Sequence, residues 1–381
     1  MDEPVSAGPV TTSTSSTRRS TARPGGRRAL AGGAVIAAAA ALALIGAPAA
    51  SAHSSPRSTV LADGLVGPLT LAVTPRGDVV VGQAFAGVVT RIDRHGRRTD
   101  LVSYPGEEVE GVSASGSGVV YTHSRGVPSP DAVGLLERVD RRGRVHVLAD
   151  LAAHERSVNP DGDVVYGLRD ASAECLAQLP AEFPGRYTGE VDPHPYATAS
   201  WRGRTVVADA GANALLSVDR RGRVGVLAVL PAQPSPLPAE VAAASGLPDC
   251  VVGQDYWFEP VPTDVETGPD GALYASLLPG GPEDPSFGAR GSVVRVDPRT
   301  GAMTTVLDGL LGATDVAVGD DGTLYAAELF GGRVVALAPG ADEPTTVLEA
   351  EQPAAVEVSH GDLYVTTQAL GPAGQVVRVD L

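Results

Sequence analysis

The 381-residue sequence contains no lysine, so all 29 of its basic residues are arginine. Set against 45 Asp and Glu, they leave a formal net charge of −16. A chain this acidic lacks the basic surface that supplies most of the affinity for nucleic acid or anionic membrane, so no nucleic-acid partner is expected. The arginines accompany an Ala, Gly, Val and Pro bias of the kind a GC-rich genome produces, and their number is no sign of phosphate binding. Aromatics are scarce at 4%. Period-3.6 patterns are nearly missing, which argues against a helical fold. G-x-S-x-G, H-E-x-x-H and any nucleophile triad are absent, and the glycines fall in hairpin turns rather than before a helix, where they could cradle phosphate. Nothing among the motifs is specific to one reaction.

Long apolar runs are also missing, with one exception. Residues 2–26 are rich in Ser, Thr, Arg, Pro and Gly, and "GGRRALAGGAVIAAAAALALIGAPAASA" follows. Arg27 and Arg28 form a basic n-region, about Leu30 to Ala47 is apolar, and Ala50-Ser51-Ala52 is a small-x-small cleavage signal. Residues 1–52 therefore read as a disordered basic leader plus signal peptide, cleaved after Ala52 on the Sec or Tat route; retention as an anchor is the alternative. The protein is expected to be secreted and to meet the membrane only through this signal. The leader carries five Arg against Asp2 and Glu3, a surplus of three, so the chain from His53 carries about −19. Only two cysteines are present, Cys175 and Cys250, and export predicts a disulfide between them.

What the sequence does have is repetition. "RVDRRGRVHVLAD" begins at Arg138 and "SVDRRGRVGVLAV" at Ser217, 79 residues apart. Units of about 40 residues read as strand, glycine turn, strand, short loop, strand ending near Asp, tight turn, strand. Four strands per unit is the mark of a propeller blade. Six units are countable, at about 65–103, 108–151, 195–231, 261–310, 313–350 and 353–381, and the last lacks its fourth strand. "STVLADGLVG", resembling "TTVLDGLLG" from Thr304, supplies it. The expected fold is all-β, a single six-bladed β-propeller over 53–381 whose N-terminal strand, about Thr59–Ala62 within 58–64, closes the last blade. The protein is expected to be a monomer.

The turns "PRGD", "SGSG", "PDGA" and "DDGT" between first and second strands are minimal, as are those between third and fourth. Every long insertion, 152–195, 231–262, 124–134, 277–290 and 368–374, falls at the other two junction types, which share one face of an up-and-down blade. That loop-bearing face is the expected functional face. Both cysteines sit on it, in the two longest insertions, where a bridge would pin the two loops.

Aligned inner strands start on that face at Thr70, Gly111, Tyr196, Asp264, Asp315 and Ala355, with Glu110 and His194 beside them. Asp264 and Glu266, two apart on a strand, point the same way. Asp264, Glu266 and Asp315 are candidate ligands for Ca²⁺, which takes six to eight oxygens; capping of turns is the alternative role for the Asp residues. Glu110, His123, His194, Tyr196 and Trp257 join these three as candidate ligand-binding residues. Trp257, Phe258, Tyr187, Phe183 and Phe287 place part of the scarce aromatic supply in the insertions, either to stack on a ligand or to pack the loops. Asp209 and Glu328, at equivalent ends of second strands, resemble the Asp-turn pattern of the NHL repeat, and with Asn213 read as structural.

The insertions "ECLAQLPAEFPGRYTGEVDPHPYATA", "PDCVVGQDYWFEPVPTDVETGPDG" and "LPGGPEDPSFGARGSVVRVDPRTG", with "YAAELFGGRV", resemble the ScyD/ScyE family over essentially the whole chain after the leader. That resemblance implies a six-bladed, NHL/TolB-like propeller and export, and implies no established reaction. Two functional readings follow. The first is a secreted binding or scaffold module that grips a small-molecule ligand or an extracellular protein through the loop-bearing face. The second is a divalent-metal-dependent hydrolase resembling the six-bladed lactonases and esterases, which hold a metal at the axial opening with Glu, Asp and Asn; this chain has no Asn at the matching strand starts.

Overall fold

Hairpins form wherever Val, Leu, Ile and Tyr alternate on either side of an Asp-capped glycine turn. In the twice-used "VDRRGRV" phrase, Asp140 Oδ1 accepts the backbone N–H of Arg142 at 2.8 Å and of Arg144 at 3.0 Å, and Asp219 does the same for Arg221 at 2.8 Å and Arg223 at 3.1 Å. Gly143 and Gly222 complete the two turns with φ of 75° and 76°, a conformation that costs a side chain but not glycine. These bonds hold both carboxyls below the ordinary Asp range, led by the backbone N–H bond to the second arginine of each pair.

The structure, a computed structural model, describes residues 57–282 and 285–381. The leader, the signal segment and the cleavage point at Ala52 lie outside the described residues. Five four-stranded antiparallel sheets are contiguous in the chain, spanning 68–103, 108–150, 195–229, 262–310 and 313–349. The sixth combines the inner strands Val356–Ser359 and Asp362–Thr367 with Gly374–Asp380 and, outermost, the N-terminal strand Ser58–Leu65. Ser58 pairs with Val379 and Val60 with Val377, so the ring is shut by its two ends as expected. The inner strands pack in ring order, the first blade's Pro68–Val73 lying between those of the second and sixth.

Six apolar clusters fill the six gaps between neighbouring blades. One joins Leu71, Val79 and Val81 of the first blade to Ala355, Tyr364 and Val376 of the sixth, and another joins Leu215 and Leu230 of the third to Val265 and Leu277 of the fourth. No blade has a core of its own, so each is stable only between two neighbours.

A seventh four-stranded sheet is not a blade. Its order is Arg186–Thr188, Val165–Gly167, Asp255–Phe258, Gln233–Pro236, drawn from the two longest insertions, which therefore fold together as a cap. These segments read as irregular in the sequence, because strands of three or four residues carry no readable alternation. The cap has its own core of Leu168, Leu237, Leu247, Val251, Tyr256 and Phe258. Cys175 and Cys250 are bridged across it, 75 residues apart. Among the described residues the α-helices are short and lie in the insertions: Leu151–Val158, Ala173–Leu176 and Ala239–Ala244. Among the described residues, no helix is long and apolar enough to cross a membrane.

The insertions gather on one face. Phe287, from 277–290, meets Phe258 of the cap edge-on with ring centroids 5.1 Å apart. Ser129, from 124–134, donates its N–H to Asp192 at 3.0 Å, tying that loop to 152–195.

Removing residues 57–65 strips the outer strand from the sixth blade and exposes the edge of Gly374–Asp380. Calorimetry of the truncated protein is expected to show a large loss of thermal stability; an unchanged melting temperature would contradict closure. Replacing both cysteines by serine is expected to cost roughly 4 kcal/mol on the chain-entropy estimate for a loop of this length, read by denaturant titration.

Candidate functional site

At the starts of the inner strands, side chains stitch one blade to the next. Asp264 Oδ2 accepts the N–H of Val316 at 3.2 Å, and Asp315 accepts that of Val356. Thr263 donates to the Ala313 carbonyl at 3.2 Å, Thr314 to that of Ala354 at 2.7 Å, and Thr198 to that of Gly111. Asp264 and Asp315, expected at the axial opening, thus each bridge neighbouring blades.

One layer further along the axis stand Glu266 and Glu357, at equivalent positions of the fourth and sixth blades. Both face an axial cavity of about 190 Å³ lined also by Ser113, Thr198, Ser200 and Thr267. Each touches the cavity yet is otherwise walled by protein. Glu357 is not among the sequence candidates although the signal is present: "AVEVSHG" aligns with "DVETGPDG", which puts Glu357 opposite Glu266. These four acids have no cationic partner among the described residues. Burial pushes the carboxyl of Asp264 up to about 7 and that of Glu357 up to about 8, with Asp264 adding to the latter by repulsion. Glu266 and Asp315 are raised well above the carboxylate range, first by burial and then by their acidic neighbours.

A second centre lies at the mouth between the second and third blades. Glu108 and Glu110 are two apart on the strand Glu108–Ser115. His194, held extended between Pro193 and Pro195, donates its backbone N–H to Asp209 at 2.9 Å. Its Nε2 lies 3.2 Å from Glu108 Oε2 and 3.4 Å from Glu110 Oε2. Tyr196 meets the ring edge-on, centroids 5.8 Å apart. Glu108, Glu110 and His194 each place a donor atom within 4.8 Å of the others, as metal ligands do, and no other trio of His, Cys, Asp or Glu among the described residues does so. Burial opposes charge on the imidazole, but Glu110 and Glu108 outweigh it and hold His194 well above its usual range. Glu110, fully buried, is raised despite His194. Of the sequence candidates, Glu110, His194 and Tyr196 therefore come together; Glu108 was missed because no period singles it out.

His123 stands apart from this centre. Its ring stacks on Tyr104 with centroids 3.9 Å apart, Nε2 pairs with Glu107, and Nδ1 lies 3.4 Å from Glu137, to which Tyr104 donates at 2.8 Å. Burial disfavours the imidazolium here, yet Glu137 and Glu107 together raise its pKa. Trp257 is covered by the Arg169 guanidinium, 4.1 Å from the ring centroid. Phe183, Tyr256, Phe258 and Phe287 pack on one another within the cap. Glu328 accepts the Leu311 N–H at 2.8 Å and pairs with Arg333, a structural role.

No protein-family model and no curated protein matches the sequence. The fold is shared with solved β-propellers. A protein assigned as an oxidoreductase (glucose dehydrogenase) from Thermus thermophilus superposes with a TM-score of 0.52 at 17% identity, over 85% of this chain and 99% of that one. A gluconolactonase from Xanthomonas campestris gives 0.51 at 12%, over 85% and 89%. A Bacteroides thetaiotaomicron protein of unknown function gives 0.53 at 11%, over 84% and 75%. Such identities establish the propeller architecture and nothing of the chemistry.

The axial acids set a pH dependence. Their folded pKa values lie above the unfolded ones, so protonation favours the folded state. That stabilisation is complete below about pH 4 and is lost as pH rises through the values near 7 and 8 of Asp264 and Glu357. In chelator, the melting temperature is expected to fall between pH 5 and 8.5, and Glu357→Gln to flatten the fall and gain about 3 °C at pH 8. A variant with the wild-type slope would contradict the assignment.

Proposed function

We propose that this chain is an exported β-propeller, a member of the ScyD/ScyE family, that acts as a monomeric binding module through its loop-bearing face. Its ligand, a small molecule or an extracellular protein, docks at a divalent-cation centre formed by Glu108, Glu110 and His194. The observation that carries the reading is the convergence of three donor atoms of the right kinds within 4.8 Å. Two carboxylates and an imidazole suit Zn²⁺ or Mn²⁺ better than Ca²⁺, which prefers an all-oxygen shell. Glu108 and His194 keep 39% and 27% of their side chains exposed, so one side of the centre is open to an oxygen of the ligand. The leader and the Cys175–Cys250 bridge support export.

The second reading is a hydrolase resembling lactonases and esterases, with its metal at the axial carboxylates. Four acids without a counter-charge favour it. Against it, Asp264 and Asp315 already spend oxygens on Val316 and Val356.

Calorimetric titration of the exported protein with Zn²⁺ and Mn²⁺ tests the first reading. A site that His194→Ala weakens more than about tenfold is expected. No binding by the wild type would leave only a His–Glu ion pair and end the proposal. Turnover of a lactone and ester panel that Glu266→Gln abolishes would decide for the second.

A further inference from the structure

Beneath the cap, three acids from three places in the chain are wholly buried: Glu155 on the helix Leu151–Val158, Asp161 just after it, and Asp209 at the end of a strand of the third blade, each 0% exposed. Each bonds the protein through one oxygen. Glu155 Oε1 accepts the Asp192 N–H at 2.6 Å. Asp161 Oδ2 accepts from Tyr166 Oη and from Asn213 Nδ2, both at 2.9 Å. Asp209 Oδ1 accepts the N–H of His194 at 2.9 Å and of Ala212 at 3.3 Å. Each leaves its other oxygen, Glu155 Oε2, Asp161 Oδ1 and Asp209 Oδ2, buried without a partner, and the amide oxygen of Asn159 on the intervening turn is bare as well. Gly189 packs directly on the Asp161 carboxylate: a Cβ there would fall 2.2 Å from Oδ1.

Bare buried anionic oxygens are expensive, and no arginine pairs with any of the three among the described residues. The groups facing them are Asp192, Glu259, Tyr166 and the neutral Asn213, with His194 acting on Asp209 alone.

We propose that Glu155, Asp161 and Asp209 hold a hard divalent cation, Ca²⁺ in an exported protein, which staples the first insertion to the third blade. All-oxygen donors on a turn and a strand end suit that ion. The three carboxylates do not bring donor atoms within 4.8 Å of one another, so binding requires their side chains to close around the ion. The site is separate from the Glu108–Glu110–His194 centre, and its role is stability rather than ligand capture.

The competing occupant is protons. Burial, with repulsion from Asp209, pushes Glu155 up to about 8, and burial pushes Asp209 up to about 6. Raised carboxyls stabilise the fold below their unfolded pKa and lose that contribution as pH rises through the folded values. The test is differential scanning calorimetry of the exported protein at pH 8, with CaCl₂ or EDTA. With Ca²⁺ at about a hundredfold excess over its dissociation constant, the melting temperature is expected to rise by about 5 °C. Asp161→Asn and Glu155→Gln should lose the rise, while His194→Ala should keep it, which separates this site from the binding centre. Glu155→Gln keeps an oxygen for the Asp192 N–H, so it should fold and melt above the wild type in EDTA. An identical wild-type melting temperature in Ca²⁺ and EDTA would overturn the proposal in favour of protons, as would a rise that both variants retain.

Discussion

The molecule depends on one antiparallel pairing, Ser58–Leu65 against Gly374–Asp380. Each blade is a four-stranded sheet whose apolar faces are covered only by its neighbours, so an open ring leaves two faces and two edges in water at once. Closure by the first and last described segments converts six marginal sheets into one cooperative unit. It also fixes the axis, because inner strands in ring order must bring their starts together on the same face. Threonine hydroxyls and the carboxylates of Asp264 and Asp315 then bond from blade to blade around that opening.

A platform this regular confines its elaboration to the junctions that have room for it. The two longest insertions do more than hang from the rim: they share a sheet, an apolar core and a disulfide, and so make a roof on the loop-bearing face. The aromatics follow the same logic. Phe183 and Phe287 pack against Tyr256 and Phe258 of the roof's core, and Trp257 lies under Arg169, so these aromatics are spent on packing. Acidic side chains gather around and beneath the roof. Three separate groups of carboxylates lie on or near the axis or beneath the cap, and only one of them, around His194, contains its own cation.

The fold was legible because its determinants are local. The Asp-capped turn of "VDRRGRV" and the alternation around it repeat often enough to number the blades, and "STVLADGL" matches the outer strand it replaces. The cap sheet was not legible: Val165–Gly167 and Gln233–Pro236 are too short to show a period, and Gly167 finds its partner only at Trp257, in the other insertion. Sites follow the same division. Asp264 and Asp315 are placed by the alignment of strands, and Glu266 and Glu357 by the same alignment one layer further in. Glu155 and Asp161 sit in an insertion with no repeat to compare against, and their burial with Asp209 is a consequence of tertiary folding alone.

The central claim is that the carboxylates around His194 and beneath the cap make the loop-bearing end of a closed ring a seat for cations. Anomalous diffraction from crystals grown with Ca²⁺ and Mn²⁺ tests it most directly. The account predicts peaks between Glu155, Asp161 and Asp209 and beside His194, with carboxylate oxygens at coordination distance. Difference density showing only water at both places, with the carboxyls bonded to one another through protons, would contradict it.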